Sequence, residues 1–142
     1  MNTPTRLLLI GAALALMPAL AVAGDVARDA VLQGYAEQAA AEDPGFAGFS
    51  AERGQRLYAG PHQGGNPQMT ACAACHTSDP TAEGRHLKTG RAIEPMAVSV
   101  NPGRFTDPDE VEKQFGRDCK NVLGRPCTAQ EKGDFITFLT GR

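Results

Sequence analysis

The sequence predicts an all-α domain in which short helices surround one long irregular loop. Three observations carry this. No segment shows the strict apolar–polar alternation of a half-buried strand. Apolar residues recur at helical spacing in several separate segments, each opening on a capping residue. Residues 77–105 contain Pro80, Gly84, Gly90, Pro95, Pro102 and Gly103 and follow no period. A structureless stretch of that length is unusual in a compact domain. It makes sense if the chain there wraps a large ligand instead of a protein core.

The first segment is read as a leader and not as fold. Residues 1–6 are polar with one positive charge, residues 7–16 form an uninterrupted apolar run, and Ala21-Val22-Ala23 closes the segment with small residues. That is the three-part form of a secretory signal, with cleavage expected before Gly24. The apolar run is short for a membrane span and Pro18 interrupts it, so no stable membrane insertion is expected after processing. The domains are therefore a signal peptide over 1–23 and a single domain over 24–142.

Helices follow in order. Residues 25–41 place Val26, Ala30, Val31, Tyr35 and Ala39 at helical spacing, with Asp25 as the expected N-cap and Asp43-Pro44-Gly45 as the stop. Ser50 caps a second helix over about 51–58. Gly54 in its middle is unfavourable by about 1 kcal/mol against Ala, which predicts a neighbouring helix crossing closely above it. Asp107-Pro108-Asp109-Glu110 has the form of a helix start with a reciprocal cap, followed by Val111 and Phe115 on one face. Thr128-Ala129-Gln130-Glu131 is another capping box, opening a C-terminal helix with Phe135, Phe138 and Leu139 on one stripe.

Composition narrows the function. Without Arg6 the processed chain carries 13 basic and 16 acidic residues, a net charge of −3, with no basic run. Neither nucleic acid nor an anionic membrane surface is expected as a partner on that basis. The whole chain has 16 Gly, 10 Pro and few aromatic residues. So thin a core calls for a staple: a disulfide, a metal or a large cofactor.

Cys72-Ala73-Ala74-Cys75-His76 supplies it. Two thiols at this spacing on a first helical turn reach the two vinyl groups of a haem from one side, and the next residue offers its imidazole to the iron. The expectation is one covalently attached haem c, with Cys72 and Cys75 as thioether anchors and His76 as the proximal iron ligand. A zinc site would need Cys119 and Cys127 as the second ligand pair, and their gap is long for that. A thioredoxin-like dithiol would need a βαβ context. A plain disulfide framework would leave His76 and the long loop unexplained. Cys119 and Cys127 themselves read most simply as a disulfide closing the loop 120–126 of an exported protein, worth about 2–3 kcal/mol in the loop-entropy view. His62 and His86 sit in Gly-rich polar loops and read as solvated surface. Arg85, Lys88 and Arg91 are available to haem propionates but read, one by one, as an exposed basic stretch.

The helix pattern with this motif resembles class I cytochromes c, in which an N-terminal helix packs across a C-terminal one. A narrower likeness is carried by Thr89-Gly90-Arg91-Ala92-Ile93-Glu94-Pro95, Asn101-Pro102-Gly103-Arg104-Phe105-Thr106-Asp107, Gly116-Arg117-Asp118-Cys119 and Gly124-Arg125-Pro126-Cys127-Thr128. These segments, with Gly34-Tyr35 and Glu52-Arg53-Gly54, resemble the sphaeroides haem protein family over essentially the whole processed chain. The resemblance implies a Cys119–Cys127 disulfide. It also implies a distal iron ligand at residue 118, where that family carries an Asn that leaves on reduction and lets ferrous iron bind dioxygen or nitric oxide.

Here position 118 is Asp, a departure from the family pattern. Asp118 as a carboxylate ligand would favour ferric iron and lower the potential. Met96, in the wrapping loop, is the alternative distal ligand and would raise it; a five-coordinate iron with an open site is the third arrangement. The expected function is single-electron transfer in the bacterial periplasm, with a membrane or multihaem cytochrome as redox partner. The alternative is binding of dioxygen or nitric oxide after reduction. No acid–base or nucleophile constellation stands out, so an enzyme is not expected.

Overall fold

The structure, a computed structural model, describes residues 19–142. The greater part of the expected leader, residues 1–18, therefore lies outside the described residues. The element order is α1 (Ala19–Glu42), α2 (Ala51–Ala59), α3 (Ala73–His76), β1 (Gly84–Arg85), β2 (Ala92–Ile93), α4 (Pro108–Leu123) and α5 (Ala129–Thr140). The fold is all-α but for the two-residue strands, which pair antiparallel with Gly84 opposite Ile93.

α1 corrects the expectation for Asp25. The helix begins before that residue, so Asp25 is not its cap; its carboxylate accepts a bond from Arg28 one turn later, at 2.8 Å. Arg28 is buried and reaches out of the helix. Its Nε donates to the Arg104 carbonyl at 3.1 Å and its Nη2 to the Pro102 carbonyl at 2.6 Å. One side chain thus ties α1 to the irregular segment. Val31, Tyr35 and Ala39 form the buried stripe of α1, and Tyr35 meets the Phe115 ring edge-on at 6.3 Å.

α2 crosses α5, and Gly54 is where they touch. A Cβ there would run into the Asp134 carbonyl and the Phe138 Cβ, so Gly answers a close approach. The start of α2 is tied to the same helix. The buried Asp134 carboxylate accepts the Ser50 N–H at 2.6 Å and Arg53 Nε and Nη2 at 2.7 and 2.8 Å. A buried charge with three donors is a satisfied one. Ser50 in turn caps α2 by accepting from Arg53 N.

α4 starts at Asp107, which accepts from the N–H groups of Asp109 and Glu110. The expected reciprocal arm is absent, because the Glu110 carboxylate bonds Lys113 and Gln114 instead. α4 also runs further than the sequence suggests. Cys119 lies inside it, and the helix stops at Gly124, whose φ of 72° is the left-handed conformation that glycine adopts freely. The connection to α5 is therefore only residues 124–128. α5 opens on the expected capping box at Thr128 and Glu131. It buries Phe135, Phe138 and Leu139, together with Ile136, which the sequence reading did not single out.

Candidate functional site

A cavity of about 500 Å³ opens between α3, the irregular segment and α4, within the usual range of about 300–1,000 Å³ for cofactor pockets. Cys72, Cys75, His76, Met96, Asp118, Cys119 and Cys127 all line it. Seven positions drawn from three separate stretches of sequence therefore share one space. Much of the remaining wall is apolar, with Phe105, Phe115 and Phe135 as its aromatic part.

α3 is a single turn that presents the motif, and its far end is held by α2. The buried Tyr58 hydroxyl lies 2.9 Å from the His76 carbonyl and 2.8 Å from that of Thr77. Thr77 has φ of 64°, an unusual value for a non-glycine residue, so the chain turns away sharply just after His76. Gly84 closes the other flank: a Cβ there would strike the Cys75 carbonyl. β1 can lie against the motif only because that residue is Gly.

Cys72 and Cys75 are both free, half-buried thiols. Burial, and then the negative charge of Asp118, push the Cys72 thiol up to about 12. His76 moves down: burial and the Arg104 charge outweigh the attraction of Asp118. The ring is therefore neutral at pH 7 and can offer a lone pair to a metal. Its Nδ1 is buried with no hydrogen-bond partner. Two free thiols, a neutral imidazole not consumed by internal bonds and an apolar space of this size fit a covalently anchored haem.

They do not fit zinc. Cys119 and Cys127 are joined to each other, with Cα atoms 5.6 Å apart, which removes the second ligand pair that a zinc site would need. Among the described residues no cluster of three or more His, Cys, Asp or Glu side chains could hold a metal ion on its own.

The two distal candidates sit differently. Met96 is buried in the hydrophobic core, on a segment where the Met96 and Ala97 N–H groups both donate to the Pro80 carbonyl at 2.9 Å. Asp118 is half-exposed on α4, with both oxygens bonded to Arg117, Nε at 2.7 Å and Nη2 at 3.0 Å. The disulfide follows at once, joining α4 to the residue before the Thr128 cap of α5.

Several lining residues escaped the sequence reading. Arg104, Arg117, Met69 and Gln114 face the cavity, although nothing in their local pattern marks them. His86 also lines it, which corrects its reading as solvated surface; its Nδ1 accepts the Thr89 N–H at 3.2 Å. His62 is likewise half-buried, with its Nε2 2.8 Å from the Leu57 carbonyl. Of the basic trio, Arg91 lines the cavity, whereas Arg85 and Lys88 are exposed.

Comparison with known proteins identifies the chain's relatives. A family model described as a domain of unknown function (DUF1924) matches residues 44–139. The cytochrome c-type protein SHP of Cereibacter sphaeroides is 42% identical over 138 residues, covering 97% of this chain and 99% of that one. Cytochrome c'' of Methylophilus methylotrophus is 46% identical over 69 residues, 49% of this chain and 48% of the relative. Among solved structures, oxidized SHP, described as an oxygen-binding cytochrome c, superposes with a TM-score of 0.74 at 38% identity, over 81% of this chain and 96% of its own. The solution structure of Methylophilus methylotrophus cytochrome c'', described as giving insight into haem-ligand detachment, has a TM-score of 0.72 at 32% identity, over 82% and 94%. The chain thus belongs to the DUF1924 family and, with it, to the sphaeroides haem protein family of class I-like cytochromes c, whose prosthetic group is one covalently bound haem c.

Proposed function

We propose that this chain is an exported, periplasmic one-electron haem protein whose sixth ligand, Asp118, is held weakly and released on reduction. A reduced haem iron held there would leave that position open to dioxygen or nitric oxide. Cys72 and Cys75 anchor the haem through thioethers and His76 is the proximal ligand. Arg91 lines the cavity and is available to the haem carboxylates, Arg104 brings its charge to the same wall while its Nε and Nη2 donate to the Pro95 and Glu94 carbonyls, and the Phe105, Phe115 and Phe135 rings exclude water. When bound, the haem supplies the single-electron couple and the coordinating iron.

The observation that carries this is the place of Asp118. Its carboxylate lines the cavity shared with His76, and its charge is felt at both Cys72 and His76. A hard anionic oxygen prefers ferric to ferrous iron, so a bond from Asp118 to the haem iron would weaken on reduction. The SHP relative is described as oxygen-binding, and detachment of a haem ligand is described for cytochrome c''. Electrons would come from a membrane or multihaem cytochrome. Among the described residues no helix is long and apolar enough to cross a membrane.

A second reading is favoured by the burial of Met96 in the same cavity. A thioether ligand there would give a closed carrier that ignores gases in both redox states. Optical spectra of the holoprotein separate the two. Asp118→Ala should change the ferric spectrum and leave the ferrous one unaltered, with carbon monoxide binding on reduction. Met96→Ala should change neither. An Asp118→Ala ferric spectrum identical to the parent's removes Asp118 as ligand; a ferrous parent inert to carbon monoxide removes the open site.

A further inference from the structure

We infer that Arg117 is the resting partner of the released Asp118 carboxylate, a guanidinium clamp that competes with the iron and sets how readily the sixth position opens. This rests on the reading of Asp118 as the distal ligand and assigns a positioning role to a neighbour.

Arg117 and Asp118 are consecutive on α4 and both line the cavity. The guanidinium engages both carboxylate oxygens, Nε to Oδ1 at 2.7 Å and Nη2 to Oδ2 at 3.0 Å. This is the two-bond geometry for which Arg is better suited than Lys. Arg117 has no second anion bonded to it. Its other acidic neighbour, Glu110, lies on the same helix and bonds Lys113 and Gln114. The pair is therefore self-contained and sits at the cavity. Each oxygen already accepts one guanidinium N–H, so iron drawing on either oxygen competes with the fork for the same negative charge.

The strength of the clamp decides what it can do. The two side chains are 63% and 46% exposed. An ion pair that open to solvent is worth about 0–1 kcal/mol, a factor of up to about five. That is too little to hold a carboxylate away from ferric iron. It is enough to bias the outcome once reduction has removed most of the iron's preference for a hard anion. Arg117 thus acts chiefly in the reduced state: it receives the departing carboxylate and keeps it from returning to the iron.

The test is a double-mutant cycle on the holoprotein, read by reduction potential and by ferrous carbon monoxide affinity. Arg117→Gln should strengthen ligation by Asp118 up to about fivefold. Carbon monoxide affinity should fall by up to the same factor. The potential should fall only by the part of that factor that carbon monoxide affinity does not take up, at most about 40 mV at about 59 mV per tenfold for one electron, because a carboxylate that rebinds ferrous iron stabilises both oxidation states alike. Losing a positive charge also lowers a potential by itself, so the same change is made in Asp118→Ala. There the potential shift should be smaller and carbon monoxide affinity unchanged. Arg117→Lys, which keeps the charge but loses the fork, should fall between Arg and Gln. Equal shifts in both backgrounds would reduce Arg117 to a remote charge and overturn the clamp while leaving Asp118 as ligand. A ferric spectrum indifferent to Asp118→Ala would overturn the ligand reading and the clamp together.

Discussion

Gly54→Ala tests the contact on which the placement of the haem motif depends. The new Cβ would meet the Asp134 carbonyl carbon and oxygen and the Phe138 Cβ, all closer than real Cβ atoms come. Two of those atoms are backbone and the third is fixed to it, so no side-chain rotation relieves the overlap and α2 must lift off α5. Overpacking of this kind costs about 1–3 kcal/mol, here toward the upper part of that range. Alanine returns up to about 1 kcal/mol of helix propensity. The net is a destabilisation of about 1–2 kcal/mol, or a fall in Tm of roughly 4–8 °C for a domain of this size. Gly34→Ala supplies the control. Gly34 also lies within a helix, α1, but an added Cβ there meets nothing within 4 Å. It should keep the propensity gain of about 0.5–1 kcal/mol and raise Tm by roughly 2–4 °C. Thermal unfolding of the two holoproteins by circular dichroism gives both numbers. A rise in Tm for Gly54→Ala, or shifts of one sign for both variants, would refute the argument that the crossing needs a bare backbone at residue 54.

Two further outcomes follow from the same structure. Tyr58→Phe removes the one hydroxyl shared by the His76 and Thr77 carbonyls and should cost about 0.5–1.5 kcal/mol, the net worth of a hydrogen bond to half-buried acceptors; an unfolding midpoint within 1 °C of the parent would show that this hydroxyl does not hold the motif. Glu131 is held below the usual carboxylate range by Arg125, against the upward push of its burial. A lowered folded value means that its contribution is complete above the unfolded value of about 4.3 and is lost as pH falls through the folded one. Glu131→Gln should therefore be less stable than the parent by about 0.5–1 kcal/mol from pH 6 to 8, with the gap closing below about pH 4; denaturant titrations at pH 7 and 3.5 check this, and a gap that persists in acid would contradict it.

What the sequence disclosed follows the range of the interactions concerned. Ser50, Asp107 and Thr128 announce their helices because a cap is made within three residues of itself. The Cys72–His76 motif can be picked out for the same reason: both thiols and the imidazole are contained in five residues. Gly54 was readable as an anomaly, and the crossing with α5 explains it. Asp25 misled because an acidic residue before an apolar stripe has the same pattern whether it caps the helix or lies inside it. There its partner is Arg28, whose other bonds run to carbonyls more than seventy residues away. The end of α4 was missed because Cys119 invites a loop, whereas the stop signal is Gly124. Arg104, Arg117 and His86 were invisible as cavity residues, since their position depends on how the irregular segment and α4 fold back over α3.

The Cys72 sulfur has a consequence for the life history of the chain. Pushed up to about 12 in the folded protein, it would be ionised in only about one molecule in 10⁵ at pH 7. Thiol–disulfide exchange proceeds through the ionised sulfur. Burial therefore slows exchange between the Cys72 sulfur and the Cys119–Cys127 bond, which borders the same cavity. The same burial withholds the nucleophile from the vinyl groups. If Cys72 is the anchor proposed above, attachment of the porphyrin is favoured while residues 72–76 are still open, before the fold closes over them.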